Sequence, residues 1–152
     1  MIPTDPPIDA DEVERRLVAL CLGGGAGLPR RARDLHILLA CATLGLRTGD
    51  VYDETAVNRH LASWMAEVCP SLGVDVTTLR RLLVDHLYLD RDDSGRHYSP
   101  GAGPATPRFA GDVAIVDAVE VSRRARAERE ARKVTYSGDL DRWPRTSTSS
   151  SA

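Results

Sequence analysis

The sequence predicts a mainly α-helical protein whose centre is a winged-helix-like three-helix unit with a C-terminal β-hairpin, flanked by further helices. Three observations predict it. Apolar residues recur at the helical period in successive stretches up to Leu83. Asp9, Asp53 and Asp75 stand just before three of those stretches, where an N-cap belongs. After the last stretch the period shortens to that of a strand: Leu87 and Leu89 alternate with Tyr88 and Asp90, Asp92-Asp93-Ser94-Gly95 reads as a turn, and Arg96-His97-Tyr98-Ser99 returns. Helix, helix, helix, hairpin is the order of elements in a winged helix.

Taken in order, residues 1–8 hold Pro3, Pro6 and Pro7 and are expected as a disordered lead. Residues 9–28 are a helix and a hinge. Asp9 caps the helix with Glu12 at the capping-box position, and Val13, Leu17, Leu20 and Cys21 form one face. Asp11–Arg15 and Glu12–Arg16 are spaced as surface pairs, and Gly23-Gly24-Gly25-Ala26-Gly27 supplies the hinge. The winged-helix-like domain spans residues 29–99. Pro29 suits the first position of its first helix, which is apolar nearly all round from Leu35 to Leu46 and so central. Asp50-Val51-Tyr52 is extended. Val57, Leu61, Trp64, Met65 and Val68 make the cleanest amphipathic face, and Val76, Leu79, Leu82 and Leu83 make the next. Residues 100–111, rich in Gly, Pro and Ala, read as a linker. Residues 112–135 read as an Arg-rich helix, although the β-branched residues of 112–121 leave a strand open there. Residues 136–152 read as a disordered tail. Leu39, Leu61, Trp64, Leu79 and Leu83 lie at the centres of their stripes and are expected to be buried together.

Composition excludes some function classes. The chain has 152 residues and a formal net charge of −2, so it is no polycation that would bind nucleic acid on charge alone. Aromatic residues are 5%, with one Phe, which leaves Leu, Val and Ala to build the core. Cys21, Cys41 and Cys69 are odd in number, widely spaced and set in apolar patterns, and read as buried free thiols. The first residues are acidic and Pro-rich, unlike a secretory leader, and no apolar run is long enough to span a bilayer. A cytoplasmic location with no membrane partner is expected.

The stretch from Leu35 to Tyr98 resembles a small domain family of unknown function, whose members stand alone or are appended to helix-turn-helix transcription regulators. Three pieces carry the resemblance. Tyr52-Asp53-Glu54-Thr55-Ala56-Val57-Asn58-Arg59-His60-Leu61 is similar to the start of a family helix. Leu79-Arg80-Arg81-Leu82-Leu83-Val84-Asp85 is similar to the family's Leu-Arg-Arg-x-Leu-Val-Asp signature. Leu89-Asp90-Arg91-Asp92-Asp93-Ser94-Gly95-Arg96-His97-Tyr98 is similar to its terminal hairpin. The resemblance implies a winged-helix-like fold and a regulatory setting. After the signature the family usually has a Gly, where this chain has His86-Leu87.

No catalytic motif is present. Gly23 to Gly27 lacks the Lys-Ser or Lys-Thr and the preceding strand of a phosphate loop. His36, His60, His86 and His97 show no metal-ligand spacing with one another or with Cys, so no metal or cofactor is expected. The candidate nucleic-acid-binding residues are Arg80 and Arg81, on what would be the recognition helix, and Arg123, Arg124 and Arg126, in the only net-basic segment. Arginine suits both guanine edges and phosphates. The structural alternative pairs Arg81 with Asp85, or one of the two arginines with Glu54, Glu67 or a hairpin Asp. Asp92 and Asp93 at the hairpin tip would repel phosphate. Two functions follow as expectations: a regulatory protein that binds double-stranded DNA, or an interaction module whose partner is another regulatory protein.

Overall fold

Asp9 caps the first helix, α1 (Ala10–Leu22), by accepting the Glu12 N–H at 2.8 Å. Val13, Leu17 and Cys21, one face at four-residue spacing, are buried beneath it. The structure, a computed structural model, describes residues 5–23 and 27–142. The readings placed on residues 1–4, 24–26 and 143–152 lie outside that range. The capping box does not form: the Glu12 carboxylate instead takes both Arg33 Nε (2.6 Å) and Arg33 Nη2 (2.8 Å). Arg16, expected to pair with Glu12, forks onto Asp34 at 3.0 and 2.9 Å. Two bidentate pairs between helices replace the pairs expected along one helix. Asp34 is buried and the Arg16 guanidinium meets both of its carboxylate oxygens, so the cross-helix geometry wins.

These pairs fix the start of α2 (Ala32–Thr43), with Arg33 and Asp34 in its first turn. The helix begins after Pro29, which is therefore not its first residue. Ile37 through Ala42 are all buried, as befits a central helix. The extended stretch becomes β1 (Tyr52–Asp53), and Asp53 caps α3 (Glu54–Glu67) through the Ala56 N–H at 2.7 Å. Asp75 caps α4 (Val76–Asp85) through the Thr78 N–H at 2.7 Å. Strands β2 (Leu89–Arg91) and β3 (His97–Pro100) form the hairpin. β1 adds to its outer side, giving a three-stranded antiparallel sheet in the order β1-β3-β2, with Tyr52 opposite Tyr98. Leu39, Leu61, Leu79 and Leu83 are fully buried, and Trp64 is 5% exposed. All three cysteines are buried and free.

The flanks are more ordered than the sequence suggests. Ile8, placed in the lead, is fully buried. It bridges Phe109, from the stretch read as a linker, with its N–H on the Arg108 carbonyl (2.8 Å) and its carbonyl taking the Ala110 N–H (2.8 Å). Residues 101–110 are thus a covering segment, held also by the Gly101 and Gly103 N–H groups on the Tyr88 and Leu87 carbonyls. A single Ile makes no period, and backbone pairing across the whole domain leaves no local trace in sequence. A 3-10 turn (Gly111–Ile115) follows, then α5 (Ala118–Arg142), which resolves residues 112–121 as helical turns and not strand. α5 packs on α1 and α3. It runs past residue 135, because propagating a formed helix needs no buried face of its own. The protein is mainly helical with one small antiparallel sheet. No helix among the described residues is long and apolar enough to cross a membrane.

α4 ends where the sequence departs from the family pattern. The Tyr88 N–H reaches the Leu83 carbonyl (2.8 Å) and the Leu87 N–H the Val84 carbonyl (3.1 Å), a Schellman turn. Leu87 sits in its left-handed position, with φ at 69°. That region costs an L-residue about 1–2 kcal/mol. The Leu87 side chain is 54% exposed, so little packing offsets the cost. Leu87→Gly is expected to raise the unfolding free energy by about 0.5–1 kcal/mol, once the extra chain entropy of glycine is subtracted. Urea unfolding checks this; a lowered midpoint would show that the Leu87 side chain secures the turn.

Candidate nucleic-acid interface

α4 buries Leu79 and Leu83, which turns Arg80 and Arg81 to either side of that stripe. The two arginines meet different fates. Arg80 is turned inward, its side chain 13% exposed. It pairs with Glu54 at 3.3 Å, donates to Asn58 Oδ1, and lies 5.7 Å from the centre of the Tyr98 ring. Its charge and fork are used to tie α4 to α3 and β3. Arg81 is exposed and forms no ion pair with Asp85. It lines a polar recess between α4 and the hairpin together with Glu54, Arg80, Asp85, Arg91 and Tyr98.

The hairpin tip is built differently from its composition. Asp92 faces inward on its own turn and accepts from Ser94 Oγ (2.8 Å), the Arg96 N–H (3.1 Å), the His97 N–H (3.2 Å) and His97 Nδ1 (2.8 Å). Desolvation would raise its carboxyl, but these hydrogen bonds outweigh that and hold it well below the usual carboxylate range. Gly95 closes the turn at φ 71°, a left-handed position that favours glycine, and the Arg91 guanidinium lies over it. Of the two tip aspartates, one is therefore a structural acceptor. Arg91 and Arg96, which the sequence reading passed over, stand exposed beside it. The pattern of an Asp two residues before Ser and one turn before His is the signal that would have shown this, since Asx side chains bond their own backbone ahead.

The C-terminal arginines lie elsewhere. α5 is capped by Asp117, which accepts the Glu120 N–H at 3.1 Å. Arg123 makes an exposed pair with Glu120 at 3.2 Å, the kind that contributes little. Arg124 borders a shallow cleft beside Asp11, Glu14 and Glu128, and Arg126 is half-buried. α5 rests on α1 and α3, whereas α4 rests on α3 and β2. The structure keeps Arg80 and Arg81 together on one helix and places Arg123, Arg124 and Arg126 on another that does not pack with it in the same way.

Behind α4, His36 and His86 meet with ring centres 5.2 Å apart, and His36 Nδ1 lies 2.8 Å from the Tyr88 hydroxyl. Burial, and then the neighbouring His86, push His36 below the usual imidazole range; burial pushes the Tyr88 hydroxyl above the usual phenol range. Sequence spacing gave no hint of this cluster. It braces the turn after α4 against α2, and among the described residues no three metal-ligating side chains come together.

No curated protein and no solved structure matches the chain. A family model does match, over residues 26–99, and its family is described as an uncharacterised protein conserved in bacteria (DUF2087). The matched segment runs from the end of the glycine-rich stretch to the last strand, and contains all three motifs that carry the resemblance. Residues 26–99 of this chain, just under half of its length, match the DUF2087 family model.

Proposed function

We propose that the domain is a winged helix that binds duplex DNA in a regulatory role, with α4 as the element that enters the major groove. The order α2, β1, α3, α4, β2, β3, with β1 pairing to β3, is the order of that fold and supports the reading. The observation that carries it is the recess beside α4. Three guanidinium groups, from Arg80, Arg81 and Arg91, line it against two carboxylates, from Glu54 and Asp85. Arg80 is committed to Glu54, so Arg81 and Arg91 remain to meet phosphates or base edges, with Arg96 at the tip of the wing. The exposed Thr77 lies one turn before Arg81 on the same helix edge and extends the polar surface.

The test is binding to random duplex DNA as a function of salt. Each phosphate contact contributes about 0.9 to the slope of log K against log salt. Arg81→Gln and Arg91→Gln are each expected to reduce the slope by about one contact, whereas Arg123→Gln, Arg124→Gln and Arg126→Gln, on the other helix, are expected to change it less. Loss of binding in the α5 variants with Arg81→Gln unaffected would move the interface to α5. No binding at low salt would overturn the reading and leave the scaffold as a protein-interaction module.

A further inference from the structure

Tyr88 ties three parts of the protein together. Its ring is buried, lies 5.7 Å from the ring of His36 on α2 and meets Phe109 of the covering segment at 6.4 Å, centre to centre. Its carbonyl takes the Gly101 N–H, and the carbonyl of Leu87 beside it takes the Gly103 N–H. The polar end of the ring is held by His36, whose Nδ1 lies 2.8 Å from the Tyr88 hydroxyl. A phenol has one hydrogen to place, and here Nδ1 is the acceptor for it. That bond requires a neutral imidazole, with the ring hydrogen on Nε2.

A proton added to His36 meets opposition from every side. It turns Nδ1 from an acceptor into a donor and leaves the buried Tyr88 O–H without a partner. His36 is half-buried, so the cation is poorly hydrated. His86, the C-cap of α4, stands edge to face against it with ring centres 5.2 Å apart, and two protonated imidazoles at that distance repel. The neighbouring carboxylates are turned elsewhere. Asp34, on the same helix, is engaged by Arg16, and Asp85, on α4, is exposed and lines the polar recess. The covering segment brings only another cation, the exposed Arg108 beside Phe109, and the further titratable group facing Tyr88 is the buried Cys41 thiol of α2. Among the described residues no carboxylate pairs with either imidazole. Burial, and then His86, accordingly hold His36 below the usual imidazole range.

We propose that His36, His86 and Tyr88 form an acid-sensitive latch, which holds residues 101–110 over the turn after α4 at neutral pH and releases them when the cluster takes up a proton. Opening exposes His36 to water, where it gains a proton at the ordinary imidazole pKa of about 6.5. The closed cluster refuses that proton until the pH is lower. The closed form is therefore favoured in full above about pH 6.5 and loses ground as the pH falls below it.

Hydrogen exchange of the full chain tests this at about pH 7.5 and about pH 5, with each rate corrected for the intrinsic effect of pH. The amides that report on the latch are Gly101 and Gly103, and the reference is the Leu61 amide, in the middle of α3. Protection at the two glycines is expected to fall at least about tenfold at the lower pH, the equivalent of one pKa unit, and protection at Leu61 to fall much less. In His36→Asn an amide oxygen takes the place of Nδ1 and accepts the Tyr88 hydroxyl without titrating. His36→Gln offers the same oxygen on a longer arm. Both variants are expected to lose the pH-dependent fall, and if one of them does not fold the other decides. Unchanged protection of the glycines between the two pH values would overturn the proposal. So would an equal fall at Leu61, or a fall of the original size in a folded His36 variant.

Discussion

Replacing Leu79 by Ala is expected to lower the unfolding free energy by about 2–5 kcal/mol, the range for a fully buried Leu. Leu79 has no exposed surface and sits where α4 meets α3 in the main cluster. Removing its side chain loses the transfer of the apolar atoms from water and leaves a cavity that the helices on either side can close only partly. The neighbouring Leu82, only part-buried, makes the control: Leu82→Ala is expected to cost clearly less. Urea unfolding followed by far-UV circular dichroism measures both. A loss below about 0.5 kcal/mol for Leu79→Ala, within the range of surface changes, would mean that α4 does not pack as described.

Replacing Ile8 by Ala is expected to cost as much, about 2–5 kcal/mol, although a sequence reading places this residue in a disordered lead. Ile8 is fully buried, and its backbone is bonded on both sides to residues 108 and 110. Pro7→Ala, one residue earlier and exposed, is expected to stay within about 0.5 kcal/mol. Equal, small losses at both positions would return the whole lead to the status of a removable tail. The two outcomes separate burial from the mere presence of the segment.

What was legible in the sequence was whatever repeats along one element. Asp9, Asp53 and Asp75 all cap the helices they precede, and the stripes through Leu17, Leu61 and Leu79 all face inward. Period and cap are local properties, fixed by a few neighbouring residues. What was not legible was the choice of partner. Glu12 has Arg16 one turn away yet binds Arg33, because the distant guanidinium meets it with both nitrogens. Arg80 and Arg81 are adjacent and chemically identical, and only the positions of Glu54 and Tyr98 separate a brace from an exposed cation. The cluster of His36, His86 and Tyr88 was equally hidden, since its members come from α2 and from the turn after α4 and no spacing within one element announces it. The candidate site was thus half visible: α4 stood out by its period, and the hairpin arginines were obscured by the tip aspartates, of which Asp92 shapes the turn.

The bridge between Ile8 and Phe109 has a consequence for how the protein is made. The two residues stand at opposite ends of the central domain, so the loop between them must be closed before their pairing returns anything. On the ribosome, α1 emerges early and can lean on α2 as soon as Asp34 is available to Arg16. It must then wait for the entire remainder of the domain before Phe109 and α5 arrive to seal its other side. Throughout that interval Ile8 has no slot to enter, and the nascent chain presents an apolar residue beside two prolines that resist being drawn into any stray helix or strand. Pro6 and Pro7, which have no backbone N–H to offer, cannot make that pairing in place of Ile8.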